Sequence, residues 1–235
     1  MRFLWLTGLA LTSCVTSHLE FMAPELRQAG LQGKTVAVGP VISRHPDSDP
    51  TSSETAALQI EAERQLQQLR PKVRVVKPME LERLVGAMNI RHMTSLAVPQ
   101  LPVVTPQQWK RMAAHPIHYL LLTEMVENRV VQEYDTKTES QTHTETGPDG
   151  KERQCSTETT TLVADSRRFG TLRLSLTDTT TRQVVWQARV HGQHYREREV
   201  PGDTNQRLLE HMPAPPPLAE IADQMLAKSL RRLPK

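Results

Sequence analysis

The stretch RLSLTDTTTRQVVWQARV, residues 173–190, decides the fold that we expect. Leucines alternate with polar residues in its first half, and apolar residues occupy every other position of its second half up to Val190. A period of two is typical of a strand with one face on a core and the other in water. Turn-forming residues at 178–182 interrupt the alternation. The stretch therefore predicts an antiparallel β-hairpin packed on a hydrophobic core.

The residues around this hairpin predict a mixed sheet with helices. Short runs rich in Val and Leu predict buried strands at Lys34–Ile42, Val73–Val76 and His118–Val126. Helical spacing of apolar residues predicts four helices: one capped by Thr51 and Glu54 and ending before Pro71, one opened by Pro78, a short one opened by Thr105 and Pro106, and a closing helix at 218–233. We therefore expect a single α/β (α+β) domain over residues 34–235, built on an open mixed β-sheet with packed helices.

A polar segment in the middle of the chain has the same strand periodicity. Threonine or serine occupies every even position from Thr136 to Thr146, and an alternation of threonines continues to Thr161 beyond the turn signal at 147–150. We expect a long projecting polar β-hairpin over about residues 127–163, and we call it the ribbon. A disordered polar loop is the alternative for the same composition.

The N-terminal residues have the pattern of an export signal. Arg2 supplies a positive charge, and the apolar run Phe3–Thr12 has the length expected of a secretory signal, whereas a spanning helix needs roughly 20 apolar residues. Leu11, Ser13 and Cys14 then fill the three decisive positions of a lipobox. The segment resembles the signal of bacterial lipoproteins. An ordinary secretory signal followed by a chance cysteine is the alternative.

The lipoprotein resemblance implies a location and an anchor. It implies that the signal at 1–13 is cleaved between Ser13 and Cys14, and that Cys14 receives acyl chains such as palmitate. Two or more such chains anchor a protein stably. Val15 rather than Asp follows the cysteine, which by the same resemblance implies the outer membrane. Residues 14–33 contain Pro and Gly without a sustained period, so we predict a short tether that keeps the protein close to the membrane and facing the periplasm.

The rest of the chain carries a second resemblance. Its features are KTVAVGPVI at 34–42, the helix at 54–70, YLLLTEMVE at 119–127, and the hairpin with Asp178 in its turn and Trp186 on its second strand. On these features the chain resembles a group of bacterial lipoproteins that includes the penicillin-binding-protein activators and the curli secretion channel subunit. It is also similar to the amino-terminal domain of the Tol-Pal propeller protein. That group often has glycine where Thr123 stands, and in the turn where Thr181 or Arg182 stands.

This second resemblance implies binding or assembly rather than catalysis. A secretion pore needs an apolar outward face about 25 Å tall, and the threonine-rich ribbon has none. A role in activating cell-wall synthases needs a long tether, and the predicted tether is short. We therefore expect a periplasmic adaptor that binds an envelope protein, with self-association as a further possibility.

Residues 33–35, Gly-Lys-Thr, resemble the end of a phosphate-binding loop, but the pattern fails on both sides. The loop requires glycine five residues before Gly33, where this chain has Gln28, and a helix after Thr35, where we predict a strand. The sequence also contains no G-x-S-x-G, G-x-G-x-x-G or H-E-x-x-H pattern. We therefore expect no cofactor and assign no catalytic residue.

The histidines give no metal-binding pattern. His191 and His194 are three residues apart on a predicted strand, so their side chains lie on opposite faces. His115 and His118 flank a proline and the start of a strand, where we expect structural roles. We therefore assign no metal site.

Charge and the remaining special residues favour binding to protein over binding to nucleic acid. The net charge of +3 is small and dispersed, so no nucleic-acid partner is expected. Trp109 and Trp186 are interpreted as core anchors. Acylation of Cys14 leaves Cys155 as an unpaired thiol, with an intermolecular disulfide as the alternative.

Together these features predict a lipid-anchored envelope lipoprotein. We expect a non-enzymatic binding or assembly adaptor at the periplasmic face of the outer membrane, linked to cell-wall synthesis or secretion. It is held to the membrane through acyl chains on Cys14, and its sheet edge or ribbon binds the partner. A membrane-anchored periplasmic hydrolase is the alternative, because Asp165, Asp178 and many glutamates could supply an acid and a base.

Overall fold

The computed structural model describes residues 13–43, 52–86, 104–146, 148, 150–200 and 212–235. In these ranges the elements are β1 (Ser13–Met22), α1 (Pro24–Ala29), β2 (Thr35–Ser43), α2 (Ser52–Leu69), β3 (Arg74–Val76), α3 (Pro78–Val85), α4 (Pro106–Ala114), β4 (Tyr119–Thr146), β5 (Glu152–Asp178), β6 (Val184–Val200) and α5 (Leu218–Leu230). The predicted export signal up to residue 12 lies outside the described residues, as do Thr51 of the predicted helix cap and two residues of the predicted turn at 147–150.

The six strands form one sheet in the order β1-β6-β5-β4-β2-β3. β2 pairs in parallel with β3 and β4, whereas β1 pairs antiparallel with β6. The hairpin predicted at 173–190 joins β5 to β6, and the Asp178 N–H donates to the Gln183 carbonyl at 2.9 Å across the turn. The open mixed sheet with packed helices is confirmed.

The ribbon consists of paired strands. β4 continues to Thr146 and β5 begins at Glu152. Thr138 pairs with Thr160 and Ser140 with Ser156 through their hydroxyls, so the two strands run antiparallel. The prediction of a long polar hairpin is confirmed over the alternative of a disordered loop.

The predicted tether is wrong for most of its length. Residues 13–22 form β1, whose ladder with β6 runs from Ser13 opposite His194 to Met22 opposite Trp186, and α1 follows. The alternation along β1 is hard to recognise in the sequence because one inward position is a serine, Ser17, which is buried in the structure. A polar residue at an inward position hides the strand period.

Two apolar clusters hold the helices on the sheet. The larger one packs α2 and α5 against the sheet and contains Trp186, which is fully buried. The smaller one packs α3 and α4 around Ala37 of β2 and Leu120 of β4. Burying side chains of this size stabilises the fold by roughly 1.5–3 kcal/mol each. Trp186 is thus the core anchor that the sequence predicts.

A polar link joins α2 to α5 beside the larger cluster. Arg64 donates to Glu61 at 2.8 Å through Nε and to Asp223 of α5 at 2.6 Å through Nη2. The hydrogen bond from Arg64 holds the pKa of Glu61 below its ordinary value. A carboxylate with a lowered pKa contributes stability at neutral pH and loses that contribution as the pH falls through the lowered pKa. The link therefore supports the packing of the two helices at neutral pH.

Residue contacts divide the chain into two compact units. One contains the described residues of 130–167 and 195–216, which include the ribbon from Val130 onward. The other contains the described residues of 13–129, 168–194 and 217–235, and we call it the body. The single domain predicted over 34–235 stays a prediction.

The turn between β5 and β6 contains a strained residue. Asp178 Oδ1 accepts hydrogen bonds from the backbone N–H groups of Thr180 and Thr181, each at 2.8 Å. The turn ends at Arg182, whose φ is 62°. Among the described residues, Arg182 is the one non-glycine residue with a positive φ. The group of lipoproteins that the sequence resembles often has glycine where Thr181 or Arg182 stands. Asp178 thus fixes the turn by its hydrogen bonds, and the left-handed backbone of Arg182 at the end of the turn is energetically unfavourable.

Replacing Arg182 by glycine is expected to raise the free energy of unfolding by about 1 kcal/mol, because relief of the left-handed strain exceeds the extra freedom of glycine in the unfolded chain. Urea unfolding measures this change. Thr180→Gly is the matched control, since φ at Thr180 is not in the left-handed region, and it is expected to lower stability. A loss of stability in both variants would contradict the assignment of strain to Arg182.

Candidate functional site

Cys14 lies on an edge strand of the sheet. It is exposed, its thiol is free, and it stands opposite Gln193 in the ladder between β1 and β6. Ser13, the other residue of the predicted cleavage site, stands opposite His194. The predicted lipidation residue is therefore part of the body, with no flexible spacer between it and the sheet.

The C-terminal helix holds β1 in place just after Cys14. Lys228 Nζ donates to the Val15 carbonyl. Arg232 donates through Nη2 to the Ser17 carbonyl at 2.6 Å and through Nε to the Ser17 hydroxyl at 3.2 Å. Ser229 Oγ lies 3.5 Å from the same hydroxyl, and both serines are buried. These contacts, which we call the clamp, tie an edge strand to a helix that packs on the core.

A network of charges covers the sheet face opposite α5. Glu20 of β1 is within 2.8 Å of Arg189 on β6 and 3.5 Å of Arg173 on β5, and Arg173 lies 3.3 Å from Glu124 on β4. The ladder between β1 and β6 shifts register between Leu19 and Phe21. Such a bulge redirects one side chain, here that of Glu20, which lies between the two arginines. Four strands thus share one polar surface, which we call the outer face.

A second cluster of hydrogen-bonded polar side chains lies on the same face. Thr171 Oγ1 donates to Glu127 Oε2 at 3.0 Å and lies 3.0 Å from His191 Nδ1. In a catalytic triad the imidazole lies between the hydroxyl and the carboxylate, so that the carboxylate orients the base. Here the hydroxyl lies between the other two groups, and Thr171 is only 3% exposed. The arrangement orients side chains on the outer face and lacks the order that activates a nucleophile.

Two of the histidines and carboxylates singled out in the sequence, His118 and Asp165, have clear structural partners. His118 Nδ1 accepts the backbone N–H of Thr35 at 3.1 Å, which is the structural role that we predict. His191 is exposed and His194 is buried, so the two do lie on opposite faces. Asp165 accepts a hydrogen bond from Arg167 Nε at 2.6 Å.

In the part of the chain that the structure describes, no three residues of His, Cys, Asp or Glu are grouped so that they could hold a metal ion. The helices of the same part are too short or too polar to cross a bilayer.

The structure has a strand after Gly33 and Lys34, as the sequence predicts, where a phosphate-binding loop would have a helix. β2 begins at Thr35, directly after the Gly-Lys pair, and no helix follows. All nine residues of β2 are buried. The Gly-Lys-Thr stretch is therefore the entry to a core strand.

The register of the ribbon separates its threonines onto two faces. The hydroxyl pairs Thr138–Thr160 and Ser140–Ser156 place even positions of both strands on one face. The odd positions, which include Cys155 and the threonines up to Thr161, lie on the other. Cys155 is partly exposed, and its thiol donates to Glu145 Oε2 at 3.8 Å. The sequence reveals the alternation of hydroxyls along each strand but not the register that matches the faces of the two strands.

No protein-family model matches the chain, and no curated protein is significantly similar to it. Solved structures do match at low identity. The PelC dodecamer from Paraburkholderia phytofirmans is 14% identical over 94% of this chain and 96% of that chain, with a TM-score of 0.42. The hypothetical protein CT253 from Chlamydia trachomatis is 10% identical over 85% and 94%, with a TM-score of 0.39. Lipoprotein GNA1162 from Neisseria meningitidis is 13% identical over 75% and 90%, with a TM-score of 0.36.

Removing one arm of the clamp is expected to loosen β1. Arg232→Ala deletes the hydrogen bonds to Ser17, and bonds from charged donors contribute roughly 1.5–3 kcal/mol each. We expect faster hydrogen exchange at the β1 amides, measured by mass spectrometry of peptides from residues 14–22. Arg231→Ala is the matched control, because the Arg231 side chain is exposed and has no contact with β1 among the described residues. Equal exchange in the two variants would refute the clamp.

Proposed function

We propose that this chain is a lipid-anchored envelope protein that is acylated on Cys14 and acts as a non-enzymatic adaptor at the periplasmic face of the outer membrane. The observation that carries the proposal is an exposed Cys14 at the start of an edge strand, directly after a segment with the pattern of a lipoprotein signal. Exposure of the thiol meets the first requirement for acylation. Two or more acyl chains would then supply stable attachment, at about 0.8 kcal/mol for each buried methylene.

The clamp gives this anchor a particular geometry. Val15 is fixed to α5 by Lys228, and Ser17 is fixed by Arg232 in the turn that follows α5. The only free chain between an acylated sulfur and the sheet would then be the side chain of Cys14 itself. A body attached in this way stays against its membrane. It would meet partners that come to the membrane, and it would not reach across the periplasm.

The adaptor role rests on the surfaces that the fold leaves to solvent. The outer face presents charges from four strands, and the ribbon presents rows of hydroxyls. β1 and β3 are the edge strands of the sheet, and an edge strand is a template for strand addition by another protein or by a second copy. The clamp already occupies the Val15 and Ser17 carbonyls, so strand addition to β1 is limited to the part of the strand beyond Ser17. The inverted order of Glu127, Thr171 and His191 supports binding over hydrolysis. The second resemblance given by the sequence supports a link to cell-wall synthesis or secretion.

Substitution of Cys14 by alanine is expected to release the protein from membranes, because the anchor loses its attachment atom. Membrane fractionation, together with mass spectrometry of the N-terminal peptide, compares wild type with Cys14→Ala. Cys155→Ala is the matched control and should remain in the membrane fraction. Wild-type protein recovered in the aqueous fraction with an unmodified sulfur at position 14 would refute the anchor.

Deletion of the ribbon is expected to abolish capture of the envelope partner. Residues 136–160 are replaced by an Asn-Gly turn, which suits a two-residue hairpin connection, and proteins from envelope extracts are captured on wild type and on the deletion variant. The control is Cys14→Ala in detergent, which should capture as wild type does. Equal capture by the deletion variant would refute the role of the ribbon while leaving the anchor untouched.

A further inference from the structure

A cleft of about 480 Å³ lies between α4 and the turn that joins β5 to β6. The helix side contributes Trp109 and Lys110, and the turn side contributes Thr180 and Arg182. All of these residues belong to the body. Pockets for small molecules span roughly 300–1,000 Å³, so the cleft has the size of a small-molecule site.

Helical spacing explains the composition of one wall. Pro106, Trp109, Lys110 and Ala113 all line the cleft, and positions separated by three, four and seven residues share one face of a helix. Trp109 is half-buried and also packs against the smaller apolar cluster. Its indole is therefore fixed by the core on one side while it lines the cleft on the other.

Two cations in the cleft lack a counterion among the residues that the structure describes. Within the described residues, neither Lys110 nor Arg182 has a hydrogen bond or an ion pair through its side chain. The arginines of the outer face differ in this respect, since Arg173 and Arg189 both contact carboxylates. The cleft thus presents two unneutralised positive charges beside an aromatic ring.

Arg182 occupies its position at a conformational cost. Its left-handed backbone, with φ of 62°, would suit glycine better. Strain of this kind persists only where the surrounding structure holds it, as the hydrogen-bonded turn at Asp178 does here, and it concentrates at binding sites. The use available to Arg182 is to bring a guanidinium to the cleft.

We propose that this cleft binds an acidic saccharide, with a sugar ring against the indole of Trp109 and its carboxylate or phosphate between Lys110 and Arg182. Guanidinium groups bind carboxylate and phosphate oxygens through paired, charge-assisted hydrogen bonds. The hydroxyl of Thr180 and the amide of Gln107 line the same cleft and supply partners for sugar hydroxyls. An indole gives the apolar face of a sugar ring a flat contact surface.

The cleft lies far from the proposed anchor along the same strand. Gln193 stands opposite Cys14, and Gln183 ends the turn beside the cleft, so about ten residues of extended chain place them roughly 30 Å apart. On a body anchored through Cys14, a cleft at this end of β6 is remote from the attachment point. The saccharide site does not depend on acylation, and Cys14→Ala should bind as wild type does.

Tryptophan fluorescence of the full chain in detergent tests the proposal. The chain has three tryptophans, Trp5, Trp109 and the fully buried Trp186. Loss of the ligand-induced change in emission in Trp109→Phe assigns that change to Trp109. The probes are trigalacturonate, with the neutral maltotriose as its match, and glucose 6-phosphate, with glucose as its match. Comparison of the two acidic probes shows whether the cleft prefers a saccharide that bears a carboxylate or one that bears a phosphate. We expect at least one acidic probe to bind and its neutral match to bind much more weakly.

Two substitutions locate the site. Lys110→Met and Arg182→Gly should each weaken binding of the acidic probe by about tenfold or more, as expected for loss of a charged hydrogen bond. Arg27→Met on α1 removes a positive charge from another exposed position and should leave the affinity unchanged. Arg182→Gly separates binding from folding, because it should weaken binding while stability rises or stays level.

Three results would overturn the proposal. These are equal affinity for acidic and neutral probes, unchanged affinity in both cleft variants, and the lack of any response to both acidic probes at millimolar concentration by fluorescence and by calorimetry. None of them bears on Cys14, so failure of the saccharide site is distinguishable from failure of the anchor.

Discussion

The attachment of β1 to α5 is the constraint on which the placement of the candidate anchor depends. An edge strand pairs on one side only and is open to fraying, and β1 relies on β6 for its ladder. Donors from Lys228 and Arg232 satisfy carbonyls of β1 from the helix side, while α5 itself is held by the apolar core. Because the strand is fixed from two directions, whatever is attached to Cys14 is attached rigidly to the body. If Cys14 carries the proposed acyl chains, this rigidity keeps the body against the membrane.

Sequence reasoning succeeds in this chain where a local pattern is uninterrupted. The run KTVAVGPVI becomes β2, with nine buried residues, and the alternation in 173–190 becomes the hairpin of β5 and β6. It fails at β1 because Ser17 interrupts the apolar positions, and because the group that accounts for this serine, Ser229, is 212 residues away. A contact of that sequence separation leaves no trace in a window of neighbouring residues. For this reason the sequence predicts a tether where the structure has β1.

The candidate site divides in the same way. Cys14 stays a prediction that rests on a local lipobox pattern, and the sequence assigned no role to Arg182 although glycine is frequent at Thr181 or Arg182 in the resembled group. The outer face was not identifiable, since Glu20, Arg189, Arg173 and Glu124 come from four strands and meet only through the sheet order. The register shift beside Glu20 has no sequence signal either. Networks of this kind follow from register, and register is fixed by the whole sheet.

The outer face also explains why the helices are distributed unevenly over the sheet. α3 and α4 pack where β2, β3 and β4 present Ala37, Val76 and Leu120, and they stop where the strands present charges. A helix laid over Arg173 and its two glutamates would have to desolvate several ions, and the cost of doing so can exceed their mutual attraction. A partner that covers this face must therefore replace water with polar groups of its own. The same charges that disfavour a covering helix thus favour a polar partner over an apolar one at this face.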